Sequence, residues 1–147
     1  KYDLTLKFRM PYEADIAEAI AYLAKMKKEG RKIKSRTDVY ANETIIDSKL
    51  PEQRTIKIQA IRVGDLGIVA IPCEIYSFTG HDIRAYSPLE PTFIVSLANG
   101  YNGYMPTVES FELGGYTTWR TRTSILERTA EPKVRKEALD LLQKTVQ

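Results

Sequence analysis

A small set of side chains in this sequence could do chemistry. Glu74 follows the apolar run LGIVAIPC, Tyr101 and Tyr104 crowd into ANGYNGYMPT (residues 98–107), and Tyr116 follows Gly114-Gly115. A carboxylate at a strand end, in the first turn of a helix, has two readings. It is an acid held by the helix dipole and free N–H groups, or a metal ligand or base presented at the sheet edge. The tyrosines also have two readings. Small residues let a loop approach a ligand while the phenols point inward, or the rings roof the core with their hydroxyls in solvent.

Other candidates are weaker. His81 is the sole histidine and lies seven residues beyond Glu74. Two helical turns are about 10 Å of rise, too far for one metal ion to take both. It reads as a surface or packing residue. Cys73 adjoins Glu74 but has no histidine base nearby, so it reads as a buried structural thiol. Asn42-Glu43-Thr44 fits a glycosylation sequon, which matters only in a secreted chain.

Several elements must position these groups. YDLTLKFRM alternates like a strand and stops at Pro11. Ile16, Ile20 and Leu23 make one face of a helix from Pro11 to Glu29. Residues 31–53 are polar and weakly patterned, and the expectation there is a loop with a short extended piece near Val39-Tyr40. RTIKIQAIRVGDLGIVAI reads as a β-hairpin turning at Gly64-Asp65, its second arm buried on both faces. A helix is expected over Glu74–Tyr86, a buried strand over Thr92–Leu97 and a short helix around Ser124–Arg128. A last helix opens at Thr129, with Pro132 in its first turn and Val134, Ala138, Leu141 and Leu142 as its buried stripe. Buried strands alternating with helices give an α/β fold, a mixed sheet with helices packed on it. Ligand sites in such sheets gather at strand ends, here Ile71–Glu74 and Ala98–Thr107.

Composition sets the outer bounds. The 147 residues fit one domain, with 43% hydrophobic and 28% charged residues and a net charge of +3. No apolar run approaches the roughly 20 residues of a membrane helix, and no signal-peptide pattern opens the chain. One cysteine excludes an internal disulfide framework. KMKKEGRKIKSR, residues 25–36, is the one basic cluster. It suits an anionic partner such as phosphate or a membrane surface, or merely cations at the C-terminus of a helix ending at Gly30 with a solvated loop behind. With no aromatic interleaved for base stacking, it does not suit nucleic acid.

In order, AIRVGDLGIVAIPCE, TFIVSLANGYNGYMPT and GGYTTW resemble the neutral/alkaline (non-lysosomal) ceramidase family over roughly residues 54–145. The family's IGDL-type turn, Pro-Gly-Glu, Asn-x-Tyr-x-x-Tyr loop and later tyrosine correspond to Val63–Leu66, Pro72-Cys73-Glu74, Asn99–Tyr104 and Tyr116. The resemblance implies a layered α/β amidohydrolase domain in which Glu74 and Tyr104 ligate a catalytic zinc. Tyr116 would hydrogen-bond the carbonyl oxygen of an N-acyl amide, lipid-like substrate as it becomes an oxyanion. Beside that substrate, Tyr101 would pack or orient the loop, and Asn99 would pin its turn through the side-chain amide.

The sequence departs from the family in two ways. Cys73 stands where the family has glycine, and the family's two histidine ligands have no counterpart. A chain starting at Lys1 with half a ligand set is therefore expected to be the C-terminal part of a larger catalytic domain. Alone it should hold no stoichiometric zinc and hydrolyse nothing. Family members are often exported or membrane-associated, and nothing in this sequence fixes a location. The alternative is a non-catalytic α/β binding domain that keeps the scaffold without a complete metal site.

Overall fold

A computed structural model describes all 147 residues. The first sheet has the order β1 (Tyr2–Lys7), β2 (Gln53–Val63), β3 (Leu66–Ile71), β5 (Thr92–Ser96). The first two pairings are antiparallel, and β3–β5 is parallel. The hairpin turns at Gly64, whose φ of 62° supplies the left-handed residue that so tight a turn requires. The sheet is mixed and the fold is α/β.

Helix α5 (Ala130–Lys144) lies across β1, β2 and β3, and α3 (Ser77–Tyr86) lies on β5 and α5. Val134, Ala138, Leu141 and Leu142 are all buried and meet Leu6, Ile56, Ile58, Val69 and Ile71 from the sheet. Each large apolar side chain buried there contributes about 1.5–3 kcal/mol. Thr129 precedes α5, but its hydroxyl donates to Glu127 Oε2 at 2.9 Å instead of capping the helix.

Both of these helices cover one face of the sheet. The double-sided burial expected of β3, and the burial expected of β5, therefore do not occur. Gly67, Val69 and Ile71 are buried while Leu66, Ile68 and Ala70 are half-buried. On β5, Phe93 and Val95 are exposed, and so are Ile61 and Val63 of β2 on the same face.

The segment expected to be a loop contains a helix, α2 (Arg36–Asp47). It begins with a capping box: Ser35 Oγ accepts the Asp38 N–H at 3.1 Å and Asp38 Oδ2 accepts the Ser35 N–H at 2.7 Å. Its buried residues are Asp38, Glu43 and Asp47, so no apolar stripe exists for periodicity to detect. Polar pairs anchor the helix instead. The Tyr22 hydroxyl from α1 (Glu13–Lys28) donates to Asp38 at 2.7 Å, and Arg122 grips Glu43. Because α1 packs on α2 and not on the sheet, its buried residues are Ala19 and Met26. Ile20, expected on the buried face, is exposed. The basic cluster divides among the last turn of α1, a loop that turns at Gly30, φ 65°, and Arg36 at the start of α2.

Residues 124–128 form no helix. Phe8 bridges to Leu126 and Thr121 to Ser124. The Arg9 guanidinium donates to the carbonyls of Thr118, Ser124 and Leu126, taking acceptors that a helix would use internally. A short helix, α4 (Val108–Leu113), and a 3₁₀ turn at Tyr116–Thr118 occupy a stretch without apolar period. No helix is long and apolar enough to cross a membrane.

Candidate functional site

A second, two-stranded parallel sheet joins the two strand ends singled out above: β4 (Glu74–Ile75) and β6 (Tyr104–Met105). Glu74 is the register partner of Tyr104, and Ile75 of Met105. Register partners project to the same side of a sheet, so the acid and the phenol share a face. Glu74 is thus a strand residue, contrary to its expected place in a helix first turn. Its N–H is spent on the Gly103 carbonyl at 2.8 Å, and α3 starts only at Ser77. Helix-dipole stabilisation does not account for this carboxylate.

The connecting loop is tied down by Asn102. Both its N–H and its side-chain Nδ2 donate to the Pro72 carbonyl at 2.9 Å. Asn99, the residue expected to pin this turn, takes a left-handed φ of 68° and donates its amide to Gln59 Oε1 at 3.3 Å. Gly103 has φ 72°, and a Cβ there would lie 2.2 Å from the Thr123 carbonyl oxygen, which accepts the Tyr104 N–H at 2.8 Å. No other residue type fits that position. Cys73 has no left-handed backbone, is fully buried, and burial pushes its thiol up to about 12. It is a packing residue. His81 is exposed beside Arg84, 3.0 Å from its Nη2, and takes no part in the site.

Four phenols or acids come together. The Tyr101 hydroxyl donates to Glu74 Oε1 at 3.4 Å. The rings of Tyr104 and Tyr116 meet edge to face with centroids 5.5 Å apart. Interaction with the Tyr116 phenol, then desolvation and the Glu74 charge, push Tyr104 up to about 12. Tyr101 is raised by desolvation and by Glu74. Tyr76, next after β4, bonds its hydroxyl to that of Thr117 and so fixes the turn carrying Tyr116. Sequence reasoning passed over Tyr76 and Asn102, although a second asparagine in ANGYNGYMPT was a visible signal.

Tyr101, Tyr104 and Tyr116 line a cavity of about 710 Å³ together with Tyr40, Arg54 and Arg122. Asn99 does not reach it. Glu74 does not line it either and contacts it through Tyr101. As metal donors, Glu74 and Tyr104 supply two oxygens, and nowhere in the chain do three or more His, Cys, Asp or Glu side chains gather. Two oxygens fit half of a four-coordinate zinc site, so the other donors would have to come from outside these residues.

No protein-family model matches the sequence, and no curated protein matches it. Solved structures do. A neutral ceramidase from Pseudomonas aeruginosa superposes with a TM-score of 0.53 at 16% identity, over 97% of this chain and 24% of that one. A ceramidase complexed with C2 gives 0.52 at 19% identity, over 65% of this chain and 15% of that one. The chain therefore spans about a quarter or less of the length of these proteins, and its fold is ceramidase-like.

Proposed function

We propose that the chain is the glutamate- and tyrosine-bearing part of a zinc-dependent amidohydrolase domain that cleaves an N-acyl amide. The observation that carries this reading is the Glu74–Tyr104 register pair, with Tyr101 and Tyr116 beside it. The ceramidase-like fold supports a lipid-like amide as the substrate class.

In this reading Glu74 and Tyr104 hold the metal jointly with two donors from elsewhere. A bound zinc would contribute a water that is ionised near neutral pH. This chain's own groups do the remaining work. Tyr116 donates its phenolic proton as a hydrogen bond to the substrate carbonyl oxygen, which gains charge as the amide is attacked. Tyr101, bonded to Glu74, holds the carboxylate in its orientation. The loop held by Asn102 and Gly103 keeps Tyr104 opposite Glu74.

Two experiments test the reading. Calorimetric titration of the 147 residues with Zn²⁺ should show no tight one-to-one site, and one tight site would overturn the half-site assignment. A longer polypeptide that includes them and supplies two histidines should hydrolyse an N-dodecanoyl amide. That activity should vanish with a chelator, return with Zn²⁺, and be lost in Glu74→Gln. Hydrolysis indifferent to Glu74 would leave the chain as a binding module.

A further inference from the structure

The phenol-lined cavity also carries an unbalanced charge. Arg36, Arg54 and Arg122 line it against a single carboxylate, Glu43. Glu43 is already satisfied by Arg122, through Nε at 3.0 Å, Nη2 at 2.7 Å and the backbone N–H at 3.2 Å. That leaves Arg36 and Arg54, neither of which enters any ion pair in the molecule.

Both guanidiniums are nevertheless held in place. Arg36 lies over the Trp119 ring at 4.8 Å, and Trp119 is braced edge-on by Tyr40 at 5.5 Å. Arg54 lies over Phe8 at 5.3 Å and makes one long hydrogen bond, to Asn102 Oδ1 at 3.4 Å. Stacking on a ring fixes the plane of a guanidinium and leaves its edge N–H groups free. Such edges match the paired oxygens of a carboxylate or phosphate. Arginines that served only solubility would have no reason to be stacked and to border the same concave wall as four phenols.

We propose that the cavity binds an oxyanion through Arg36 and Arg54, so that the substrate is an N-acyl amide bearing a carboxylate or phosphate on its amine side. The amide part of this statement rests on the amidohydrolase reading; the oxyanion part rests on the arginines alone. A neutral N-acyl amide fills the phenol-lined wall but leaves both guanidiniums without an anionic partner.

The test is binding without metal or turnover, by isothermal titration calorimetry at low salt and below the micelle concentration. The probes are N-dodecanoylglycine, N-dodecanoylglycinamide and N-dodecanoylethanolamine phosphate. At least one anionic probe should bind about tenfold or more tightly than the carboxamide, which is about 1.4 kcal/mol. The tighter of the two identifies the head group. The preference should fall about tenfold in Arg36→Gln and in Arg54→Gln while affinity for the carboxamide holds. Arg62→Gln, at the far end of β2, should change neither. Equal affinity for all three probes overturns the inference, as does a preference that survives both substitutions. Because no zinc is present, failure here leaves the amidohydrolase reading to its own test, and success does not depend on that reading.

Discussion

Glu74 and Tyr104, thirty residues apart in sequence, are register partners in a parallel pair of two-residue strands. The pair is held by backbone bonds: Glu74 N–H to Gly103, Asn102 N–H to Pro72, and Tyr104 N–H to Thr123. Strand edges of two residues are too short to be stable alone, so the loop bonds must hold the geometry. Three expectations concern how the acid and the phenol are placed, and a fourth concerns Asp47, buried in α2.

Removing the Tyr116 hydroxyl should separate catalysis from binding. In an active, zinc-loaded protein, Tyr116→Phe is expected to lower kcat by roughly 10²–10³ with little change in KM, since an oxyanion donor acts in the transition state. Stability should hardly move, because Tyr116 is exposed. A substitution that raised KM alone would show Tyr116 to be a binding wall.

Gly103→Ala should destabilise the protein strongly. The left-handed φ of 72° and the 2.2 Å clash with the Thr123 carbonyl act together. A cost of roughly 2–4 kcal/mol is expected, visible as a lower midpoint in urea. Gly114→Ala provides a comparison, for it has positive φ but nothing within 4 Å of its added methyl. If both substitutions cost the same, the clash is not what matters.

Tyr76→Phe tests the positioning of Tyr116 from a distance. The lost hydroxyl bonds Thr117 in the turn that begins with Tyr116. Stability should drop by about 1 kcal/mol, and kcat should fall more than KM rises. Thr117→Val should give the same pattern, because it removes the other half of the bond. Divergent effects would exclude a shared role.

Between about pH 4.5 and pH 6 stability should decline as pH rises, and Asp47 is the reason. It is fully buried with neither carboxylate oxygen hydrogen-bonded, and desolvation, then Glu43, raise it to about 6. A carboxyl raised in the folded state favours folding while protonated. That contribution is complete below about 4, the unfolded value, and is lost by about pH 6, for at most about 3 kcal/mol. Asp38, Glu43, Glu109 and Glu127 are shifted downward and act in the opposite sense below about pH 4.5, the ordinary carboxylate range. Asp47→Asn should flatten the decline when thermal midpoints are measured across this range. An unchanged slope would rule Asp47 out.

Much of the scaffold was legible because its signals are local. The Gly64-Asp65 turn, the hairpin arms and the stripe Val134, Ala138, Leu141, Leu142 follow from residue spacing and appear as expected. The capping box Ser35-x-x-Asp38 was equally local, yet α2 was missed, because a helix that buries Asp38, Glu43 and Asp47 shows no apolar period. Which faces of β3 and β5 are covered was not local at all. That depends on α3 and α5 both landing on one side.

The sequence by itself determined which residues could do chemistry: a carboxylate after a buried strand and tyrosines among glycines. Tertiary structure decided that Glu74 is a strand residue, that Tyr101 touches it, and that Asn102 instead of Asn99 ties the loop. It also decided that two stacked arginines from distant segments border the same cavity. The physical reason is range. Turn, cap and stripe are set by neighbours within a few residues, whereas parallel pairing, stacking and shared cavities join groups whose separation along the chain carries no pattern.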